Sequence, residues 1–316
     1  MTKPLVSILI NNYNYAPFIA QAIDSAIDQT YSPIEIVVVD DGSTDQSRDI
    51  IAKYGDKIVP VLKRNGGQAS AFNAGVTKSR GDILCFLDSD DYFRNDKIAE
   101  VAAAFLREDF SSQPMIVHHP LSIVGDTAGA FAGRTIGRRH PSPLNLYRFA
   151  RRYGFLFYMA GPTTGLSLNR AMADRLFPLP EEGIRISADD FMVKGASLIG
   201  ALISLDLTLG SYRIHGQNAW FAGDRQKPIA FNEALDRYLN KILVENGRRP
   251  VMSFKNSMSN WTDLALERRW MGLLGQITKL AILQHDLLTA RYAYRALRLA
   301  IKGQTNAERV NTSLIS

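Results

Sequence analysis

Residues 82–93 read DILCFLDSDDYF. A run of apolar residues with the pattern of a buried strand ends in three carboxylates, Asp88, Asp90 and Asp91. Carboxylates repel one another and cost free energy when taken out of water, so a cluster at the mouth of a buried strand calls for a partner. In extended chain Asp88 and Asp90 leave the same face, which aims two oxygen ligands at one point. Oxygen-only ligands suit Mg²⁺ or Mn²⁺, which one or two carboxylates usually hold while substrate phosphates complete the shell.

Three more short apolar runs precede this one: LVSILI (5–10), IEIVVVD (34–40) and KIVPVLK (57–63). Helical patterns separate them. Ile19, Ala22, Ile23, Ala26 and Ile27 recur at helical spacing behind Pro17, which suits a first turn. STDQSRDIIAKYG (43–55) opens on N-cap residues and closes on glycine, and GQASAFNAGVTKS (67–79) is the third helical segment. Strands alternating with helices at this spacing predict a Rossmann-like, mostly parallel sheet flanked by helices. Pro60 cannot donate to a ladder, so the third strand is expected near an edge. The polar clusters NNYN, DDGSTD and DSDD each sit where a strand ends, the edge at which such sheets bind ligands.

Beyond Asp96 a helix is expected to about Arg107, then one or two strands in PMIVHHPLSIVG (114–125). Alternation there turns one of His118 and His119 inward. Residues 126–162, rich in Gly, Pro and Arg, read as an irregular functional loop or a disordered segment. TGLSLNR (164–170) reads as a strand, ISADDFMVKGASLIG (186–200) as a helix, and LISLDLTLGSYRIH (202–215) as a strand or hairpin. From about Phe221 the pattern is helical. The expected division is 1–220, with a nucleotide-binding half at 1–108 and an acceptor and catalytic half at 109–220, followed by a helical C-terminal extension, 221–316.

The chain has 316 residues, 46% of them apolar and 22% charged, with a net charge of +6, ordinary for a protein that buries a core. One cysteine, Cys85, excludes an internal disulfide and fits a reducing compartment. The N-terminal apolar stretch is too short for a signal peptide, and no apolar run approaches the ~18 residues of a membrane span. The expected location is cytoplasmic, with peripheral contact at the inner membrane face.

The first strand-to-helix turn, NNYNYAP, holds no glycine, which excludes a phosphate-cradling loop of the dinucleotide or P-loop kind. Its amides and rings suit a nucleobase instead. Asp40 could accept from a base or ribose, whereas Asp41 and Ser43 have the composition of a turn and helix cap. A nucleotide held without a glycine loop needs its diphosphate neutralised in another way, and a metal on Asp88 and Asp90 supplies one. An EF-hand fails on spacing, since its sixth and twelfth positions counted from Asp88 are Phe93 and Ala99. Asp91 and Asn95 can be read as caps of the next helix.

VSILINNYNYAPFIAQAIDSAIDQTYSPIEIVVVDDGSTDQSRDII together with GGQASAFNAGVTKSRGDILCFLDSDDYF resembles the large family 2 of inverting glycosyltransferases with the GT-A fold. The likeness is dense over residues 4–108 and thinner through GPTTGLSLNR, ISADDF and YRIHGQNAW to about residue 220. It implies a nucleoside diphosphate-sugar donor, a UDP-sugar above all, with Asn11, Asn12, Tyr13, Asp40, Gln68, Asp88 and Ser89 at the nucleotide. It implies Asp88, Asp90 and His215 at a divalent metal, Mn²⁺ or Mg²⁺, and Asp190 as catalytic base with Asp189 as its alternate. The acceptor is then a glycan, lipid-linked or other hydroxyl, with cell-surface polysaccharide or glycolipid synthesis the expected setting, and no nucleic acid is expected. Phe72 departs from the family, whose members often carry Arg there, so that a diphosphate or ribose contact is either missing or supplied by Arg64 or Lys63. Rival readings are a sugar nucleotidyltransferase, which normally begins with a Gly-rich loop absent here, and an inactive nucleotide-sugar or glycan-binding protein.

In the C-terminal extension Arg291, Arg295, Arg298 and Lys302 follow i, i+4, i+7, i+11, one helix face. Such a stripe can lie on an anionic membrane or be a solvated face. The neighbouring WTDLALERRWMGLLGQITKLAIL (261–283) could equally form a homo-oligomer interface.

Overall fold

The computed structural model describes residues 3–108, 113–137, 142–156, 160–184, 187–216, 218 and 229–253. They fall into two compact units, one of 3–145 with 160–218 and the other of 146–156 with 229–253.

The first unit begins with β1 (Val6–Asn12), α1 (Ala16–Ile27), β2 (Ile34–Asp40), α2 (Ser47–Ala52), β3 (Val59–Leu62), α3 (Gln68–Lys78) and β4 (Ile83–Asp88). It continues with β5 (Tyr92–Phe93), α4 (Lys97–Arg107), β6 (Met115–His118), β7 (Leu121–Val124) and β8 (Thr135–Ile136). Past α5 (Tyr147–Tyr153), which lies in the second unit, come β9 (Leu166–Asn169), α6 (Arg170–Leu176), α7 (Ala188–Ile199), β10 (Ala201–Ser204) and β11 (Gly210–Arg213). α8 (Ile229–Glu245) completes the second unit.

Seven strands form the main sheet in the order β10-β6-β9-β4-β1-β2-β3. All neighbours are parallel except β9, which runs antiparallel to both β4 and β6. The continuous apolar runs follow from burial on both faces. Ile8, Ile10, Val38, Cys85 and Leu87 share one core with Ile19, Ala22, Ile23 and Ala26 of α1 and with Ile98, Val101 and Phe105 of α4. The alternating residue Leu9 lies beneath α3 on the opposite face, where a Cβ on Gly75 would touch Val39 and Leu9. Each large aliphatic buried this fully contributes about 1.5–3 kcal/mol. β3 is an edge strand, as Pro60, which has no N–H to donate, requires.

The segment 114–125 is two strands in two different sheets. β6 joins the main sheet, and β7 joins a second sheet of order β5-β11-β7-β8. His118 and His119 are both fully buried, contrary to the alternation reading, because the chain leaves one sheet at this point and is covered on both sides. The stretch 202–215 likewise is no hairpin, since β10 and β11 lie in separate sheets. Between 126 and 162 the described residues include a 3-10 turn at Gly129–Phe131, β8 and α5, so regular structure occupies much of what reads as loop.

In the second unit α8 buries Phe231, Ala234, Leu235, Leu239, Ile242 and Leu243, an amphipathic spacing, and Leu146, Ala150 and Phe155 are buried beside α5. The proposed stripe at 291–302 and the segment 261–283 lie outside the described residues.

Candidate functional site

Register brings the strand-end residues together. β1 pairs Asn12 with Asp40 on one side and Asn11 with Asp88 on the other. Asn12 Nδ2 donates to Asp40 Oδ2 at 3.0 Å, and Asn11 Nδ2 donates to Asp88 Oδ1 at 3.1 Å. Successive residues of one strand thus serve two different carboxylates.

Asp40 is fully buried. Its Oδ1 accepts from Arg48 Nε at 2.7 Å and from the Ser43 amide at 3.0 Å. Burial opposes its ionisation, but the bonds from Ser43, Arg48 and Asn12 outweigh that and hold its carboxyl below the usual range. The residue expected at the base or ribose is held in place by this network. Truncating Asp40 to Ala leaves the Ser43 amide without its acceptor and Asn12 Nδ2 with Ser43 Oγ alone. The expected loss is about 2 kcal/mol, since Arg48 stays partly solvated. A depressed folded-state pKa adds stability above the unfolded value that disappears as pH falls through the folded value. Urea unfolding should therefore separate wild type from Asp40→Ala at neutral pH, with the gap narrowing progressively as pH falls below about 4.

Asp41 fastens the loop before α3. It accepts from Lys63 Nζ at 2.6 Å, from the Gly66 amide at 2.9 Å and from the Gly67 amide at 2.7 Å. Gly42 has φ +83°, and a Cβ there would meet the Asn65 amide at 2.6 Å, so the turn needs glycine. Ser43 is no helix cap, because α2 begins at Ser47; its hydroxyl instead accepts from Asn12 Nδ2 and the Asn14 amide. Lys63 is committed to Asp41, leaving Arg64 exposed. Phe72 packs edge-on against Phe86, centroids 5.2 Å apart, in the core.

The carboxylate cluster is a turn. The Asp91 amide donates to Asp88 O at 3.0 Å, so the chain is not extended past Asp88, and the turn instead brings the acids together. Asp88 is pushed up to about 7, first by burial and then by the charge of Asp90. Asp91 is no cap of α4, whose N-cap position is Asp96. It is buried, accepts from Thr164 Oγ1 at 2.6 Å and from the Arg213 amide at 2.8 Å, and is raised well above its ordinary value by burial and by Asp90 and Asp88. Asp90 Oδ2 accepts from Asn218 Nδ2 at 3.3 Å and lies 3.0 Å from His215 Nε2. The His215 ring lies 4.6 Å from the Phe18 ring. Ser89 is buried, and its Oγ has no partner among the described residues. Tyr13 is 46% exposed beside this edge. Tyr15 is held protonated by burial and by Asp90, Asp88 and Asp91.

Several supporting residues carry no recognisable sequence signal. Thr164 accepts from the Asp88 amide at 3.2 Å, bonds Asp91, and takes the ammonium of Lys97 on its carbonyl at 3.1 Å. Lys97 is fully buried, 3.5 Å from the Phe93 ring centroid, and burial lowers its pKa to about 8. Arg213 donates to Asp90 O at 2.8 Å and lies over the rings of Phe18 and Tyr92.

Gln68 links the strand ends to α7. Its Oε1 accepts from the Ala188 amide at 2.9 Å and its Nε2 reaches Thr163 Oγ1 at 3.4 Å, so its carboxamide is engaged by protein at both ends. Asp189 and Asp190 lie in the first turn of α7. Asp190 is buried and forms an ion pair with Lys194 at 3.0 Å. The charge of Asp189 contributes to the upward shift at both Asp88 and Tyr212.

Among the described residues neither Asp88 nor Asp91 pairs with a Lys or Arg side chain, and Asp90 faces His215. Among the described residues no three His, Cys, Asp or Glu side chains are placed to hold a metal ion by themselves. Buried carboxylates without a Lys or Arg partner fit a divalent ion gripped on one side by protein and completed by substrate oxygens.

The sequence matches glycosyl transferase family 2 over residues 7–160. It is 34% identical over 252 residues to an uncharacterized glycosyltransferase of Nostoc sp. strain PCC 7120, covering 77% of this chain and 76% of that one. With an uncharacterized glycosyltransferase of Rickettsia prowazekii it shares 48% identity over 96 residues, 30% of each chain. Among solved structures it is similar to S. aureus TarS 1-349 in complex with UDP-GlcNAc, at TM-score 0.59 and 17% identity, covering 95% of this chain and 92% of that one. Against the UDP complex the TM-score is 0.51 at 19% identity, with the same shares covered.

Proposed function

The chain belongs to glycosyl transferase family 2 and has its GT-A fold, and from this we propose that it transfers a sugar from a UDP-sugar to an acceptor hydroxyl, with inversion, in the synthesis of a cell-surface polysaccharide or glycolipid. The observation that carries the reading is the turn Asp88–Asp91, where buried carboxylates gather without a Lys or Arg partner at the same sheet edge as exposed Tyr13. The UDP and UDP-GlcNAc complexes of TarS support a uridine donor.

In this reading Asp88 and Asp90 hold Mn²⁺ or Mg²⁺, with His215 beside Asp90. When bound, the ion supplies positive charge to the leaving diphosphate. Tyr13 meets the base and the backbone of the Asn11–Asn12 strand end lines its edge. Lys63 is held by Asp41, so Arg64 is the side chain left to approach the diphosphate. Asp190 accepts the acceptor hydroxyl's proton as the oxygen attacks the anomeric carbon. Lys194, one helical turn on, fixes the orientation of that carboxylate.

The test is incubation with a panel of nucleotide-sugars and candidate acceptors, with Mn²⁺ or with chelator, while nucleoside diphosphate and pyrophosphate are measured separately. Nucleoside diphosphate release that needs the metal is expected. Pyrophosphate release would instead identify a nucleotidyltransferase, and tight donor binding without turnover on any acceptor would identify a binding protein.

Among the described residues no helix is long and apolar enough to cross a membrane.

A further inference from the structure

The two units differ sharply in charge. Residues 146–157 and 224–316 carry 18 Lys and Arg against 8 Asp and Glu, a net of +10, whereas the remainder carries 19 against 23, a net of −4. The basic excess therefore belongs to the second unit, while the carboxylate-lined site belongs to the first.

The described part of the second unit concentrates this charge. α5 carries Arg148, Arg151 and Arg152, all exposed, and the loop after α8 carries Arg248 and exposed Arg249. Tyr147 gathers them. Its hydroxyl accepts from the Arg249 amide at 3.0 Å, and the guanidinium groups of Arg248 and Arg151 lie 4.8 and 5.9 Å from its ring centroid. Arg152 lies 5.7 Å from the centroid of Tyr153. The loop is fixed in place, since Asn240 Oδ1 accepts from the amides of Val251 and Met252 and the Ser253 amide donates to Gly154 O at 2.7 Å. Among the described residues Arg148, Arg151 and Arg249 form no ion pair, and Glu245 pairs with Lys241. Like charges held this close repel, and ring contacts offset only part of that.

We propose that this arginine surface docks the protein on an anionic phospholipid bilayer. The charge excess continues along the unit's sequence through Arg291, Arg295, Arg298 and Lys302, so its complement is an extended anionic surface and not one phosphate. Guanidinium groups bind phosphate oxygens in pairs, and tyrosines suit the headgroup layer. Single-stranded nucleic acid would need open aromatic faces for base stacking, and those of Tyr147 and Tyr153 already carry arginines. The proposal does not depend on the transfer reaction.

The full chain is to be floated with vesicles of phosphatidylcholine alone and of three parts phosphatidylcholine to one part phosphatidylglycerol. It should bind the second, not the first, and be released by high salt. Each arginine at the surface is worth roughly fivefold in partitioning, so Arg148→Gln/Arg151→Gln/Arg249→Gln should bind ~100-fold more weakly with an unchanged melting temperature. Lys53→Gln/Lys57→Gln/Lys78→Gln, matched in charge on the first unit, should bind as wild type. Equal binding to both vesicle types would overturn the proposal, as would equal losses in the two triple variants. So would wild-type binding by the arginine variant while Arg291→Gln/Arg295→Gln/Arg298→Gln abolishes it, which would assign the contact to that stripe. Capture of a single-stranded RNA without vesicle binding would also overturn it.

Discussion

Asp190→Asn is expected to lower kcat by at least ~100-fold, the usual scale for a lost general base, with donor affinity and melting temperature close to wild type. A hydroxyl is a poor nucleophile at neutral pH, so the proton must have an acceptor as the new bond forms. Asp189 and Asp190 are adjacent on α7 and so point about 100° apart, which lets one face the reacting sugar. Asp190 is buried and held by Lys194, and Asn at this position keeps an oxygen for that ammonium. The charge of Asp189 is felt at Asp88, on the side assigned to the diphosphate. Asp189→Asn should therefore cost kcat less than ~10-fold. Single-turnover rates with saturating donor, alongside calorimetric donor affinities, measure both. A reversed pattern, with Asp190→Asn nearly fully active, would make Asp189 the base.

The second large effect concerns metal-linked donor binding. Asp90→Ala should remain folded, because it relieves charge repulsion on half-buried Asp88 and buried Asp91. It should weaken UDP binding in Mn²⁺ by at least the ~10–100-fold that losing even an outer-shell partner of a metal costs. Affinity measured in chelator should be the same for variant and wild type. Titration calorimetry with and without Mn²⁺ reads this directly. Unchanged affinity in Mn²⁺ would remove Asp90 from the metal site and leave its bonds to His215 and Asn218 as a purely structural contact.

Much of the first unit is legible in the amino-acid sequence. Buried strands announce themselves by unbroken apolar runs, helices by a period near four, and the strand ends by abrupt clusters of polar residues. Pro60 at an edge strand and Pro17 in a first helical turn are equally local facts, set by what one residue can do with its own backbone. The convergence of Asn11, Asn12, Asp40 and Asp88 on one sheet edge follows from parallel topology alone. Tertiary structure decided which partner each polar group takes. Asp91 looks like a helix cap in sequence, yet its partners Thr164 and Arg213 are 73 and 122 residues away. Gln68 accepts from the amide of Ala188, 120 residues on, and Lys63 donates to Asp41. His118 and His119 are both buried because the chain changes sheets there, which no alternation rule can foresee. The reason is physical. Backbone preference and hydrophobic period belong to neighbouring residues, whereas a buried polar group must be satisfied by whatever the fold brings beside it, and that depends on the whole chain.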